Sequence, residues 1–285
     1  MIYIYTALHG EAKPFLSKLK LKKEKSSFGF EVYSNEELQI RLVITGVGAI
    51  AAATGVGASM GYYHGGEEDF LVNIGSCAGA GEKGTVTLCN KLTDRTDGYT
   101  FYPDILFKHP FRETHLVTQQ EVFREGLEMV QDVDTVFDME GAAIYRAASY
   151  FVGPHQICFL KVISDAGDGE QVSPVQLREI MNQAADSIVD FLFDLKQYWE
   201  GISKQESVDM TFQRQEELFD TLCQEFCCSE TMKNQLKQCT KYWTLSGVDY
   251  EKMISEMRME GILPCKDRRE GKKRLEELFH KSFMV

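Results

Sequence analysis

Three carboxylates stand where apolar runs give out: Glu11 in Ala7-Leu8-His9-Gly10-Glu11, Glu140 in Asp138-Met139-Glu140-Gly141-Ala142-Ala143, and Asp165 in Ile163-Ser164-Asp165-Ala166-Gly167-Asp168. One such residue would be ordinary. Three point to a pocket, because ligands in open α/β sheets gather at the carboxyl ends of strands. A fourth run leads into Asn73-Ile74-Gly75-Ser76-Cys77-Ala78-Gly79-Ala80-Gly81, whose small residues would bring backbone N–H groups and the Ser76 hydroxyl close to a ligand. A tight structural turn explains that stretch equally well. Glu140 could complement a helix dipole. Followed by residues without bulk, it also suits gripping a pair of sugar hydroxyls. Two carboxyl groups kept in opposite protonation states by their surroundings can act as acid and base.

The elements that must position these residues alternate between strand and helix over the first 200 positions, the pattern of a layered α/β domain. Ile2-Tyr3-Ile4-Tyr5-Thr6 predicts a strand, followed by a helix from about Gly10 that tolerates Pro14 in its first turn. Residues 28–34 and 38–45 flank Asn35-Glu36-Glu37 as a hairpin, and 70–75, 84–90, 135–139 and 156–164 supply further buried strands. A helix is expected over about 140–151. Ser173-Pro174-Val175-Gln176 opens a long helix with an N-cap, a proline at its first position and a capping-box glutamine. After Gly201-Ile202-Ser203 no convincing strand follows, while Phe212, Phe219, Leu222 and Phe226 recur at helical spacing. Three or four helices over about 208–283 are expected, broken near Ser229, Ser246-Gly247 and Gly261 to Pro264. This gives two domains, 1–202 and 203–285, the second an all-α module of unknown role.

Gly46-Val47-Gly48-Ala49-Ile50-Ala51 matches the first part of a dinucleotide fingerprint, yet the acidic residues that should close the next strand, Glu67, Glu68 and Asp69, precede it. Close packing of strand on helix is the better reading. The net charge of −12 argues against nucleic acid as the main partner, and residues 203–285 carry 14 basic and 15 acidic groups, so the excess lies in the first domain. The basic run Lys266 to Arg274 is interrupted by Asp267 and Glu270 and reads as a helix start with a solvated face. The uncharged stretch Leu42 to Tyr63 contains five glycines and resolves into a strand, a turn and a small-residue helix, so no membrane span is expected. With no secretory leader legible in the first ten residues, a soluble cytoplasmic chain follows. The six histidines are scattered, and Cys223, Cys227, Cys228, Cys239 and Cys265 lack finger spacing, so neither metal nor cofactor is expected. Cys223 and Cys227 are expected to share a helix face in a core.

As a set and in this order, A-L-H-G-E, T-G-V-G-A-I-A-A-A, N-x-G-S-x-A-G, D-M-E-G-A-A and V-I-S-D-A-G-D resemble the methylthioadenosine/S-adenosylhomocysteine nucleosidases, the hydrolytic branch of the purine nucleoside phosphorylase family. The resemblance covers residues 1 to about 200. It implies a three-layer α/β/α domain around a mixed, partly closed sheet, commonly a homodimer, acting on a small purine nucleoside without a cofactor. Carried over position by position, it implies that Glu11 activates water and that Asp165 is the general acid protonating the leaving purine at N7. It implies that Glu140 holds the ribose 2′- and 3′-hydroxyls, that Met139 packs on the ribose, and that Ala7 lines the floor. Ser76 and Lys161 match positions near the nucleophilic water, Lys161 standing where the family often has arginine.

The chain departs from the family in several places. His9 lies in a stretch that is more acidic in many relatives, and the segment after the strand near residue 90 is about one helix shorter. The family's purine-loop signature is not legible in Val117 to Phe123, so Phe123 either stacks on the base or belongs to the core. The helical tail lies outside the family pattern altogether. Cleaving an N-glycosidic bond through an oxocarbenium-like state needs a proton for the departing base and a water on the opposite face, which two carboxyl groups can supply. The expected reaction is hydrolysis of methylthioadenosine, S-adenosylhomocysteine or 5′-deoxyadenosine with release of adenine. Two alternatives stand beside it: a phosphate-dependent phosphorylase, and a nucleoside-binding sensor with a regulatory tail. Against the former, residues 7–13 and 45–51 contain no arginine, and Lys13 is their only lysine.

Overall fold

A computed structural model of the chain describes residues 1–25, 28–66, 68–124, 134–168, 172–207, 210–246 and 250–282, without the side chains of 202–217, 238, 241–242, 244–246 and 280–282. Glu67, Gly247 and the Phe212 side chain, all invoked above, lie outside the described residues. The chain divides into two compact units, Met1–Ser203 and Lys204–Val285.

The first unit runs β1 (Ile2–Thr6), α1 (His9–Lys18), β2 (Lys22–Lys23), β3 (Glu31–Asn35), β4 (Ile40–Ile44), α2 (Ala49–Tyr62) and β5 (Phe70–Gly79). It continues through β6 (Val86–Asp94), β7 (Thr100–Phe101), β8 (Arg112–Thr118), β9 (Thr135–Asp138), α3 (Gly141–Ala148), β10 (Ile157–Asp165) and α4 (Pro174–Ser207), whose last four residues belong to the second unit. Strand order is β10-β6-β8-β9-β5-β1-β4-β3-β2, with β7 on β6 and an additional β10–β5 pairing. That extra pairing closes β5, β10, β6, β8 and β9 into a ring, and β1, β4, β3 and β2 extend from β5 as an open sheet. Parallel and antiparallel ladders mix, as in β1 with β4 and β3 with β4. The sheet is mixed and partly closed, as the family resemblance implies.

Alternation along β1 shows why three layers form. All five of its residues are buried. Ile2 and Ile4 face a core shared with Ala12 and Phe15 of α1 and Ile188 and Leu192 of α4. Tyr3 and Tyr5 face a second core with Ala52 and Val56 of α2 and Ile144 of α3. A strand covered on both faces needs apolar residues throughout, which is why the run shows no polar alternation. The small residues of α2 let that helix lie close to the sheet: a methyl group at Gly55 would stand 2.7 Å from Thr45 Cγ2. Ser173 and Gln176 form the expected capping box at the start of α4, each backbone N–H donating to the other's side chain at 2.9 and 3.3 Å.

Two local readings are corrected, and the end of the long helix is fixed. Residues 76–79 continue β5 rather than turning, so the glycine-rich stretch is strand with small side chains. β8 is a strand the sequence did not announce, because its inward positions are Thr114, Leu116 and Thr118, two of them polar. α4 runs through Gly201 to Ser207 without a break.

The second unit holds α5 (Met210–Glu225), α6 (Glu230–Ser246), α7 (Tyr250–Met259) and α8 (Arg268–Ser282) around Leu222, Phe226, Leu236, Trp243, Ile254 and Leu275. No strand occurs among its described residues. Asp267 caps α8, accepting from the N–H groups of Arg269 and Glu270 at 2.9 Å, which makes the basic run a helix start. Cys227 does not share a helix face with Cys223: it lies beyond the end of α5 with φ 49°. No helix of the described residues is long and apolar enough to cross a membrane.

Candidate active site

One edge of β5 pairs with β1 over Phe70–Asn73 and with β9 at Ala78 and Gly79. Between them, at residues 74–77, that edge has no ladder partner among the described residues. The backbone N–H of Ser76 points into this gap and donates to Glu11 Oε1 at 2.8 Å, joined by the Ser76 hydroxyl at 2.8 Å. The N–H groups of Ala7 and Leu8 both donate to Glu11 Oε2 at 3.0 Å. Glu11 is 2% exposed, in the first turn of α1, and each of its oxygens takes two donors, the pattern of a carboxylate. Leaving β1 and entering α1 therefore does two things at once: it supplies two free amides and returns the side chain that accepts them.

Lys161 lies inside β10, opposite Gly75, and its side chain is 1% exposed. A methyl group at Gly75 would stand 3.3 Å from Lys161 Nζ and 3.5 Å from Glu11 Oε1, so this glycine leaves the two charged groups their room. The lysine is neutralised by Asp138, whose Oδ2 is 2.7 Å from Nζ. Asp138 also accepts from the Thr118 hydroxyl at 2.6 Å and from the Gly141 N–H at 2.7 Å. It holds the lysine and ties down the start of α3 together. Burial opposes the charge on Lys161, yet Asp138 and Glu140 outweigh it and hold the ammonium above the usual lysine range.

Glu140 is the N-cap of α3 rather than a residue of its first turn. Its Oε1 accepts from the Gly48 N–H at 2.7 Å. Gly48, at φ 94°, occupies left-handed backbone that a residue with a side chain would adopt only under strain. The second glycine of Gly46-Val47-Gly48 thus presents an amide to a carboxylate of this chain. Burial, then the charge of Asp138, pushes the Glu140 carboxyl up to about 7, although Lys161 and the Gly48 amide pull the other way.

Asp165 closes β10, where a register shift between Ile163 and Asp165 sets it opposite Ala78. That is two residues along β5 from Ser76, roughly 7 Å at the usual strand rise. Asp165 accepts from the Ser164 hydroxyl at 2.8 Å and the Gly167 N–H at 2.9 Å. Phe123, after β8, is buried and stacks on Phe137 with ring centroids 3.8 Å apart. Its ring also covers Gly167, where a methyl group would be 2.2 Å from Cδ1. Phe123 therefore bridges the Asp165 loop and the strand leading to Glu140. Met139 is half-buried between Asp138 and Glu140.

Glu11, Ala7 and Ser76 are directly bonded, and Lys161 and Glu140 join them electrostatically through Asp138. Asp138 and the Gly48 amide are the members that the sequence reading left without a role. A lysine inside an apolar strand is the signal that could have found Asp138, since a buried ammonium needs a buried counter-ion. No group of metal-ligating side chains is present among the described residues.

No protein-family model matches the chain, and no curated protein matches it in sequence. Solved structures do match in fold. The apo 5′-methylthioadenosine nucleosidase of Arabidopsis thaliana is 20% identical, with a TM-score of 0.54 over 67% of this chain and 94% of that one. The 5′-methylthioadenosine/S-adenosylhomocysteine nucleosidase of S. pneumoniae with a transition-state inhibitor is 18% identical, with a TM-score of 0.54 over 68% and 99%. The S-adenosylhomocysteine nucleosidase of Streptococcus pyogenes with 5-methylthiotubericidin is 17% identical, with a TM-score of 0.55 over 67% and 95%. The chain has the fold of these proteins over about two thirds of its length.

Proposed function

We propose that the first unit hydrolyses the N-glycosidic bond of adenine nucleosides, with water as nucleophile and adenine as product. The observation that carries the reading is the charge balance around Glu11. Glu11, Asp138 and Glu140 meet one lysine, and that lysine is already paired with Asp138. Such a surplus of negative charge favours a sugar that becomes cationic as the bond breaks. It disfavours a phosphate anion, which needs unpaired cations.

Glu11 serves as the base. Its four donors fill both oxygens, and three of them are fixed backbone amides. The Ser76 hydroxyl is the donor that can rotate away, opening one position on Oε1 for water and offering the water its own oxygen as acceptor. Water then adds to the anomeric carbon while Glu11 takes its proton. The bonding pair of the glycosidic bond leaves with the base, and Asp165 supplies the proton that the base needs. Glu140 keeps Oε1 on the Gly48 amide and has Oε2 for the sugar hydroxyls, while Met139 and Ala7 line the sugar's seat. Lys161 is a positioning residue, holding the field between Glu11 and Glu140. Phe123, packed on Phe137 and over Gly167, steadies the loop that carries Asp165.

The substrates proposed are 5′-methylthioadenosine, S-adenosylhomocysteine or 5′-deoxyadenosine, the first two supported by the names of the structures that share the fold. The same reading takes the enzyme as a cytoplasmic homodimer. Sedimentation velocity tests the assembly. The activity is tested by following adenine release from each nucleoside with and without phosphate. Turnover that required phosphate would replace hydrolysis with phosphorolysis.

A further inference from the structure

The helical unit carries a group of thiols that the proposed reaction does not use. α5 ends in a Schellman turn: the Cys228 N–H donates to the Cys223 carbonyl at 2.9 Å and the Cys227 N–H to the Gln224 carbonyl at 3.0 Å, with Cys227 in left-handed backbone. This motif brings the side chain three positions before the cap against the one two positions after it, a contact ordinarily made by two apolar groups. Here the pair is Cys223 and Cys228, both free thiols that interact with each other. Both residues line a surface cleft of about 560 Å³, along with Asp220, Cys227, Lys233 and Arg268. Cys227 is engaged elsewhere, its thiol directed at the Cys265 carbonyl at 3.4 Å. The turn is braced from behind, since the Cys265 N–H donates to the Glu225 carbonyl at 2.7 Å.

We propose that Cys223 and Cys228 form a dithiol site that closes to a disulfide by exchange with a small-molecule disulfide entering this cleft. The Cys223 thiolate attacks one sulfur of the small disulfide, a new S–S bond forms, and one small thiolate leaves. Cys228, having lost its proton, then attacks the Cys223 sulfur of the mixed disulfide and expels the second small thiolate. The two protons given up by the protein end on the two small thiols. The protein is oxidised by two electrons and the small disulfide is reduced to two thiols. Burial opposes the Cys223 thiolate, as do the Asp220 and Glu230 carboxylates, while Cys228 and Lys233 favour it; the deeper sulfur, Cys223, is taken as the first to attack. Burial pushes both thiols up, Cys228 to about 12, so the exchange should accelerate about tenfold per pH unit on the alkaline side of neutrality.

The test incubates the full chain with oxidised glutathione at about pH 7 and about pH 9, then blocks free thiols with N-ethylmaleimide and maps tryptic peptides. One peptide, residues 215–233, carries all three cysteines. The proposal expects this peptide to lose two hydrogens, to carry a single maleimide on Cys227, and to form faster at the higher pH. It also expects Cys227→Ser to leave the crosslink in place. Maleimide on all three cysteines after oxidation would overturn it, as would a lasting glutathione adduct without the crosslink. A crosslink that leaves Cys223 alkylated, or that disappears in Cys227→Ser, would assign the chemistry to other thiols and overturn it too.

Discussion

Replacing Glu140 by glutamine should stabilise the first unit at alkaline pH, and the size of the effect follows from the site. The carboxyl stands at about 7 in the folded chain against an ordinary 4.5. At 1.36 kcal/mol per unit, that difference corresponds to about 3 kcal/mol. Between these two values the folded chain keeps a proton that the unfolded chain has released. Stability therefore falls as pH rises from about 4.5 to about 7 and stays lowered above it. Glutamine resembles the protonated acid, keeps an oxygen for the Gly48 N–H, and carries no charge to bury. Urea unfolding can be followed by pulsed amide exchange in β1 and β5, which isolates the first unit from the helical one. The variant should exceed the parent by about 3 kcal/mol at pH 8, and the two should converge near pH 4. Nucleoside affinity should fall at the same time, since an amide reads a pair of hydroxyls differently from a carboxylate. A variant no more stable than the parent at pH 8, or a gap that persists unchanged at pH 4, would refute the assignment of Glu140 as the site's costly buried charge.

Lys161→Met strands Asp138 without its counter-ion and should destabilise the first unit by about 3–5 kcal/mol in urea melts, with Lys161→Met/Asp138→Asn recovering part of the loss. Glu11→Gln should lower kcat by about 10²–10⁴-fold, whereas Ser76→Ala should cost about tenfold or less, because three amide donors remain on Glu11. Asp165→Asn should lose most of kcat while retaining nucleoside affinity in calorimetry, because the amide keeps a hydrogen bond but delivers no proton.

Legibility in the sequence followed how each residue earns its place. β1 was legible because burial on both faces demands an uninterrupted apolar run, and Glu11 because a carboxylate at such a run's end is conspicuous. The capping box at Ser173 was legible because its chemistry is local. β8 was not, because Thr114 and Thr118 point inward to satisfy partners in other elements, Cys89 and Asp138, that no window of sequence contains. Glycine at 48 read as close packing of strand on helix, and nothing local showed that its amide serves Glu140, 92 residues away. Phe123 could not be placed from sequence, since its neighbours Phe137 and Gly167 come from two distant segments. Long-range pairs of this kind are what tertiary structure adds to local pattern.

The central claim is that these carboxylates direct water, and no other nucleophile, at the sugar of an adenine nucleoside. Incubating the purified chain with 5′-methylthioadenosine in phosphate-free buffer, and assaying both adenine and the reducing sugar, tests it most directly. The account predicts adenine and free 5-methylthioribose in equal amounts, at a rate that added phosphate leaves unchanged. Adenine formed only with phosphate present, accompanied by a sugar 1-phosphate, would contradict it.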